Sequence, residues 1–216
     1  MNNEQRIEQA FYDIDLSEEE EVLQASKKLK DIPKEEVIGW LARSSREWDY
    51  CELLYGIKNI EKIFGAKFNL ERLIELYFEE RDHWSNSENT KMLEEFNQIT
   101  GRKISADDVA EHIDVDFVRE SIEFDVGILG FIEFVCDNGG DAEPFVERII
   151  SSTDKLNQQE ISEIICMADY ISNIDNTNAE KLFKCVDWNE VKEQGDENEF
   201  VSFFKKIAPD LVPQIV

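Results

Sequence analysis

Two histidines, His83 and His112, are the side chains of this sequence best suited to acid–base or metal chemistry. The run Glu80-Arg-Asp-His83 has the Glu-x-x-His spacing that places two metal ligands on one helix face in di-iron carboxylate bundles. Such a centre requires the motif twice, and Val109 stands three residues before His112. The sequence therefore predicts neither a di-iron site nor another cofactor.

Carboxylates near His112 offer oxygen ligands for a metal, but not in the register of a known site. Asp114-Val-Asp116 lacks the later ligands and the glycine of an EF-hand loop, and Asp137-Asn-Gly-Gly-Asp141 also lacks that register. The sequence contains no phosphate-binding glycine loop, no G-x-S-x-G and no H-E-x-x-H. We therefore expect no metal site and no enzymatic activity, and an enzyme with a cryptic site remains the third hypothesis.

The densest chemical feature is a run of carboxylates between Ile104 and Glu147. This segment has thirteen acidic residues and one basic residue, Arg119, so it carries −12 of the formal charge of −26. Clustered like charges repel one another, so a fold that keeps them is expected to use them against a basic surface. Carboxylates accept charge-assisted hydrogen bonds from arginine and lysine. The predicted partner-binding residues are Asp107, Asp108, Glu111, Asp114, Asp116, Glu120, Glu123 and Asp125.

A solvated surface without a partner is the alternative for these carboxylates. Acids at helix N-termini fit it, because they complement the positive end of the helix dipole. These acids are Asp107, Asp108, Asp141 and Glu143. Acids in the middle or at the C-terminal ends of helices do not fit it. These acids are Glu120, Glu123, Glu133 and Asp137.

The net charge of −26, from 49 acidic and 23 basic residues, restricts the partners of the chain. Nucleic acid and anionic membranes are repelled, because binding to phosphates needs lysine and arginine. A basic protein is attracted, and the electric field speeds its encounter with the chain. Aromatic side chains often anchor such a contact, and the candidate anchors are Trp48, Trp84 and Trp188.

Helical patterns recur along the whole chain, which is predicted to form one domain over residues 1–216. The expected helix N-caps include Ser17, Asn69 and Ser105, and Gly101 is an expected helix stop. No segment shows clear alternation of apolar and polar residues with the period of a strand. The sequence therefore predicts an all-α fold of about 10–13 helices.

Helix pairs recur at intervals of roughly 34 to 40 residues, which is the size of an α-hairpin repeat. The pairs are expected to begin near Glu35, Leu70, Val109, Phe145 and Ala179. No consensus residue recurs across them, so two architectures stay open. They are an irregular helical bundle and a degenerate α-hairpin solenoid of HEAT type, whose concave face would bind a partner.

One apolar run, from Asp125 to Cys136, is predicted to form a central buried helix, with a buried strand as the alternative. It is too short to span a bilayer, which takes about 20 apolar residues. The four cysteines form no C-x-x-C pair and are expected to be buried reduced thiols. They are Cys51, Cys136, Cys166 and Cys185. Together with the lack of a secretory signal in the sequence, these features predict a cytoplasmic protein.

The acidic stretch from Asp107-Asp108 to Glu123-Phe124-Asp125, with helical pairs around it, resembles in type a group of bacterial proteins. These are the acidic, all-helical immunity proteins of contact-dependent growth inhibition and related polymorphic toxin systems. The resemblance implies a cytoplasmic protein that binds one cognate toxin, often a basic nuclease, and blocks its active site. The second hypothesis is an α-helical repeat scaffold or nucleic-acid-mimicking inhibitor with another partner.

Overall fold

The protein is helical throughout the part of the chain that the computed structural model describes, which is residues 2–44, 50–79, 86–120, 127–152, 156–171 and 173–214. Fourteen α-helices occur in these ranges, with a π-helical segment, Glu75–Glu79, and a 3-10 helix, Pro209–Gln214. No strand occurs in the same ranges, and the predicted all-α fold class is confirmed. An irregular helical bundle fits these helices, which are slightly more numerous than the sequence predicted.

Backbone contacts divide the chain into two compact units. The first unit comprises residues 1–81 and 91–104, and the second comprises residues 82–90 and 105–216. Each unit has its own buried apolar residues. The single domain over residues 1–216 stays a prediction, because two compact units occur both within one domain and as separate domains.

Six helices lie wholly or partly in the first unit. They are α1 (Asn3–Phe11), α2 (Glu19–Lys28), α3 (Lys34–Ser44), α4 (Tyr50–Phe64), α5 (Leu70–Ile74) and α6 (Asn86–Thr100). Among them, α1 packs against α2 and α3, and α2 packs against α4. Asn69 caps α5 as predicted, since its side chain accepts a hydrogen bond of 2.9 Å from the Glu71 amide. Gly101 follows α6 with a left-handed φ of 69°, a conformation that glycine adopts without steric cost.

The predicted cap at Ser17 is wrong. The helix α2 begins two residues later, with Glu18 at its N-cap position and no side-chain capping bond. Instead, the Ser17 hydroxyl donates to Asp15 Oδ1 over 2.6 Å, and the Ser17 amide donates to the same atom. A local turn has therefore taken the hydroxyl that the sequence pattern assigned to the helix end.

The helices of the second unit are α7 (Ala106–His112), α8 (Val115–Glu120), α9 (Ile128–Asp137), α10 (Glu143–Ser152), α11 (Gln158–Cys166), α12 (Asn176–Cys185), α13 (Trp188–Gln194) and α14 (Glu197–Ile207). Six of these eight helices pack in two rows. One row is α7–α10–α12 and the other is α9–α11–α14, with α7 against α9, α11 against α12 and α12 against α14 across the rows.

The apolar run before Cys136 is helical, as the sequence predicted, and forms α9 from Ile128 onward. Its Phe131, Phe134 and Val135 are at most 1% exposed, and α9 contacts α7, α8 and α11. The ring centroid of Phe131 lies 4.4 Å from that of Phe145, so the aromatic core joins the two helix rows. This central helix holds α7 and α11 in place on either side.

Gly140 lies where α9 turns toward α10, and its neighbours leave no room for a side chain. An added Cβ would lie 2.5 Å from Asp107 Oδ1 and 3.0 Å from the Val135 carbonyl oxygen. We expect Gly140→Ala to lower the free energy of unfolding by about 1 to 2 kcal/mol, because backbone must move to admit the methyl group. Urea unfolding measures this change. The control Gly39→Ala, whose nearest contact would be 3.8 Å away, should not destabilise, and equal losses would contradict the prediction.

The described cysteines are less buried than expected. Cys136 and Cys185 are half-buried and Cys166 is exposed, so the prediction of buried thiols is wrong for these three, while the Cys51 side chain lies outside the described part. Desolvation by the surrounding protein, and then the charges of Glu199 and Asp196, raise the pKa of the Cys166 thiol. A raised pKa leaves less thiolate, which is the reactive form.

We therefore expect iodoacetamide at pH 8 to alkylate Cys166 several-fold more slowly than glutathione, despite the exposure of Cys166. Peptide mapping by mass spectrometry follows the site directly. The rate should rise toward that of glutathione as the pH increases beyond 9. Alkylation of Cys166 faster than glutathione at pH 8 would show that the thiol is activated rather than suppressed.

Candidate protein-binding surface

Carboxylates join the starts of α7 and α10 in the second unit. Asp107, in the first turn of α7, accepts a hydrogen bond of 2.7 Å at Oδ1 from the backbone amide of Asp141. Asp141 in turn accepts from the amide of Glu143, the first residue of α10, over 3.0 Å. The acidic groups at these two helix starts are therefore neighbours in space.

The same arrangement continues from α10 to α12. Glu143 Oε1 accepts from the Asn173 amide over 2.6 Å, and Glu147 Oε1 accepts from the Asp175 amide over 2.7 Å. Asp175 itself caps α12 by accepting from the Thr177 amide over 2.7 Å. These carboxylates lie along the three helices of one row, α7, α10 and α12, and we call them the acidic edge. Its members are Asp107, Asp141, Glu143, Glu147 and Asp175.

The acidic edge repeats at a fixed interval along the chain. Asp107, Asp141 and Asp175 are separated by 34 residues each, and each stands at or near the beginning of a helix of one row. Asp175 is not among the predicted partner-binding residues, because it lies outside the run of carboxylates from Ile104 to Glu147. The expectation that no consensus residue recurs across the helix pairs is wrong for the three pairs that contain these aspartates. Superposing the chain on itself with a shift of 34 residues would have brought these three aspartates into register.

Arg119 is the single basic residue between Ile104 and Glu147, and its charge is used inside the fold. Its Nε donates to Glu160 Oε1 over 2.7 Å, and its Nη1 donates to Asp116 Oδ1 over 2.9 Å. The Glu160 side chain is 2% exposed. The hydrogen bond to Glu160 is the largest cause that raises the pKa of Arg119, so the guanidinium stays charged and paired.

Arg148, the next basic residue after the acidic segment, caps the C-terminal end of α7. Its guanidinium donates to the carbonyl oxygens of Ala110, Glu111 and Ile113, the last two over 2.7 Å each. Burial lowers the pKa of Arg148, while the charges of Asp114 and Glu111 act in the opposite direction. A cation at this position also complements the negative end of the helix dipole.

The predicted partner-binding residues do not form one set of equivalent carboxylates. Asp107 belongs to the acidic edge, and Asp108 closes a capping box with Ser105, whose amide and hydroxyl each donate to Asp108 Oδ2 over 2.7 Å. Glu111 and Asp114 are exposed near the other end of α7, and Asp116 is exposed and paired with Arg119. The side chain of Glu120 and all of Glu123 and Asp125 lie outside the described residues.

Structural roles at helix starts therefore apply to Asp107, Asp108, Asp141 and Glu143, as the alternative of a solvated surface predicted. Asp137 does not follow that alternative, because it is exposed at the last position of α9, where the dipole disfavours an acid. A carboxylate that accepts a backbone amide still keeps its charge and a second oxygen. The surface around α7, α8 and α10 can thus both hold its own loops and present negative charge.

Of the three candidate aromatic anchors, only Trp188 lies in the described part of the chain. Trp188 is half-buried and packs against Phe183, Phe200 and Phe204, at ring-centroid distances of 5.2, 6.2 and 5.9 Å. It is therefore mainly a core residue, and only part of its surface is available to a ligand. Trp48 and Trp84 lie outside the described residues. Tyr170, which is not among the predicted anchors, is 52% exposed at the turn after α11.

One of the two histidines considered for metal chemistry lies in the described part of the chain. His112 is half-buried at the end of α7, and His83 lies outside the described part of the chain. Within that part, no group of three or more His, Cys, Asp or Glu side chains is placed to hold a metal ion. None of the described helices is both long enough and apolar enough to cross a membrane.

Comparison with protein-family models, with curated proteins and with solved structures finds no match to this chain.

Proposed function

We propose that this chain is an acidic interaction protein that binds and neutralises a basic protein, as an immunity protein blocking the active site of a cognate nuclease toxin. The observation that carries the proposal is the pairing of Arg119 with Glu160 and Asp116. Because Arg119, the only base of the acidic segment, pairs with Glu160 and Asp116, the segment as a whole keeps a large negative charge. A basic partner would supply the missing positive charge.

The mechanism is occlusion of a basic cleft. A nuclease binds phosphates with arginine and lysine, and carboxylates can accept the same charge-assisted hydrogen bonds. Asp107, Glu111 and Asp114 are exposed and on or beside α7, where they can occupy such a cleft in place of a substrate. Binding would take place in the bacterial cytoplasm, whose reducing conditions suit the free cysteines of the described residues.

The long-range field of the protein supports fast binding. A net charge of −26 attracts a basic partner from a distance and orients it before contact. Such attraction weakens as salt is added, because the screening length falls from about 10 Å at 0.1 M to about 3 Å at 1 M. The complex should therefore form most rapidly at low ionic strength.

Affinity capture from the native host tests the proposal. The bait is the wild-type protein, and the matched bait is a neutralised variant with Asp107→Asn, Asp108→Asn, Glu111→Gln, Asp114→Asn and Asp116→Asn. Each amide keeps an oxygen that accepts the hydrogen bonds of the fold. We expect one basic protein to bind the wild type stoichiometrically and to be lost with the variant or at high salt. Equal capture by both baits would contradict a role for these carboxylates.

An α-helical scaffold is the second candidate, and the two-row packing of the second unit is the observation that favours it. Stacked α-hairpins offer extended surfaces that hold partners without blocking them. A scaffold would bind the captured protein and leave its activity unchanged. An immunity protein would abolish that activity at one equivalent.

A further inference from the structure

A groove of about 650 Å³ lies in the second unit, between the start of α11 and the turn from α12 to α13. This volume falls in the range of small-ligand sites, which is roughly 300–1,000 Å³. None of its lining residues belongs to the acidic edge. The side chains that give it chemical character are Asn157, Gln158, Lys184, Asp187, Trp188 and Asn189.

Trp188 provides this groove with a rigid aromatic wall. Its ring packs on Phe183 and Phe204, at centroid distances of 5.2 and 5.9 Å, which fixes its orientation. Because the residue is only half-buried and lines the groove, part of the indole remains accessible. The face of an indole attracts a cation that approaches within about 6 Å.

Oxygen acceptors stand beside the indole. Asp187 is exposed, and both of its backbone contacts, to the amides of Asn189 and Glu190 at 3.0 and 3.2 Å, use Oδ1. Its Oδ2 is therefore left to accept from a ligand. Gln158 donates through Nε2 to the Cys185 carbonyl over 2.9 Å, which leaves its Oε1 as an acceptor as well.

The charge around the groove favours a cation over an anion. The one lysine among the lining residues, Lys184, has its Nζ 3.5 Å from Glu180 Oε2 and is 74% exposed, so its charge is directed to solvent and offset. The helix α13 adds two more exposed carboxylates, Glu190 and Glu193, and one exposed lysine, Lys192, whose Nζ lies 4.0 Å from Glu197 Oε1. An anionic ligand would meet this excess of negative charge.

We propose that the groove binds an arginine side chain of the basic partner, with the guanidinium stacked on Trp188 and bonded to Asp187. The planar guanidinium stacks on an aromatic face and donates several hydrogen bonds at once, which a lysine ammonium cannot match. This inference rests on the proposed function, since it assumes that the occupant comes from a basic protein. It adds a specific anchor to an attraction that is otherwise long-ranged.

Residue-resolved NMR with a defined probe tests this site. The ¹⁵N-labelled full chain is titrated with acetyl-Gly-Arg-Gly-amide and, separately, with the lysine analogue of the same charge. We expect the arginine probe to shift the Trp188 indole N–H resonance, identified with Trp188→Phe, and the Asn157 and Asn189 amides in a saturable way. The lysine probe should bind several-fold more weakly. Equal shifts with both probes, or none at these resonances, would overturn the proposal.

Matched variants separate the groove from general charge. Asp187→Asn should weaken the arginine probe about tenfold, because it removes a charge-assisted bond while an asparagine still caps α13. Asp196→Asn makes the same change at the N-cap position of α14, outside the groove lining, and should alter affinity less than twofold. Equal weakening by the two variants would overturn the assignment, as would displacement of the probe by inorganic phosphate.

The outcomes distinguish this inference from the proposed function. If the arginine probe occupies the groove but affinity capture retains no basic protein, the groove is a cation site and the immunity function is wrong. If capture succeeds while the probe leaves the Trp188 resonance unmoved, the function stands and the groove is not its anchor.

Discussion

The neutralised variant, with five carboxylates on α7, on α8 and between these helices replaced by amides, is expected to associate with the captured basic partner about tenfold more slowly than the wild type at low salt. The reason is that four of these residues, Asp107, Glu111, Asp114 and Asp116, are exposed, and Arg119 is the only basic residue from Ile104 to Glu147. Stopped-flow association at several salt concentrations measures the rate. The dependence of that rate on salt should also become shallower.

A variant with the same change of net charge provides the control. Five exposed glutamates of the first unit, Glu8, Glu18, Glu20, Glu35 and Glu94, can be changed to glutamine. This variant should keep the association rate within about threefold of the wild type, because the removed charges are outside the candidate surface. Equal slowing by the two variants would show that only total charge matters and would remove the case for a specific acidic surface.

Arg119→Met is expected to lower the free energy of unfolding by about 3 kcal/mol. The substitution leaves the Glu160 carboxylate, 2% exposed, without the guanidinium that compensates its buried charge. Removing one member of a buried ion pair costs more than the pair contributes, because the remaining charge stays desolvated. Urea unfolding followed by circular dichroism measures the loss.

Two further variants test that reason. Asp116→Asn removes the charge of the other partner of Arg119. The Asp116 side chain is 65% exposed, so the free energy of unfolding should fall by at most about 1 kcal/mol. Adding Glu160→Gln to Arg119→Met should recover part of the loss, because it removes the uncompensated charge. If Arg119→Met destabilises no more than Asp116→Asn, then the buried pair does not hold α8 to α11.

Most of the fold could be predicted from local sequence signals, which are the apolar spacing and the capping residues of the helices. The predicted starts of the five helix pairs, from Glu35 to Ala179, each fall within the first four residues of a helix, namely α3, α5, α7, α10 and α12. Asn69 and Ser105 cap α5 and α7 as predicted, since a cap needs only residues two or three positions away. The cap at Ser17 failed because a competing local turn with Asp15 was equally accessible.

The candidate site depends on contacts between residues that are far apart in the sequence, and such contacts could not be predicted from spacing alone. Arg119 and Glu160 are 41 residues apart, and Asp107 and Asp141 are 34 apart. Which carboxylates are paired inside the fold and which face solvent depends on those contacts. For the same reason, the neighbouring residues in the sequence misled at two positions. Cys166 is exposed although it lies in an apolar stretch, and Trp188 is half-buried although polar residues flank it.

The most direct test of neutralisation is a titration of the captured basic partner, assayed for nuclease activity, with the purified chain. Activity on nucleic acid should fall linearly to zero at one equivalent of wild-type protein in low salt, and the neutralised variant should be needed in large excess. A partner that binds the chain at one equivalent and retains full nuclease activity would rule out neutralisation and favour a scaffold.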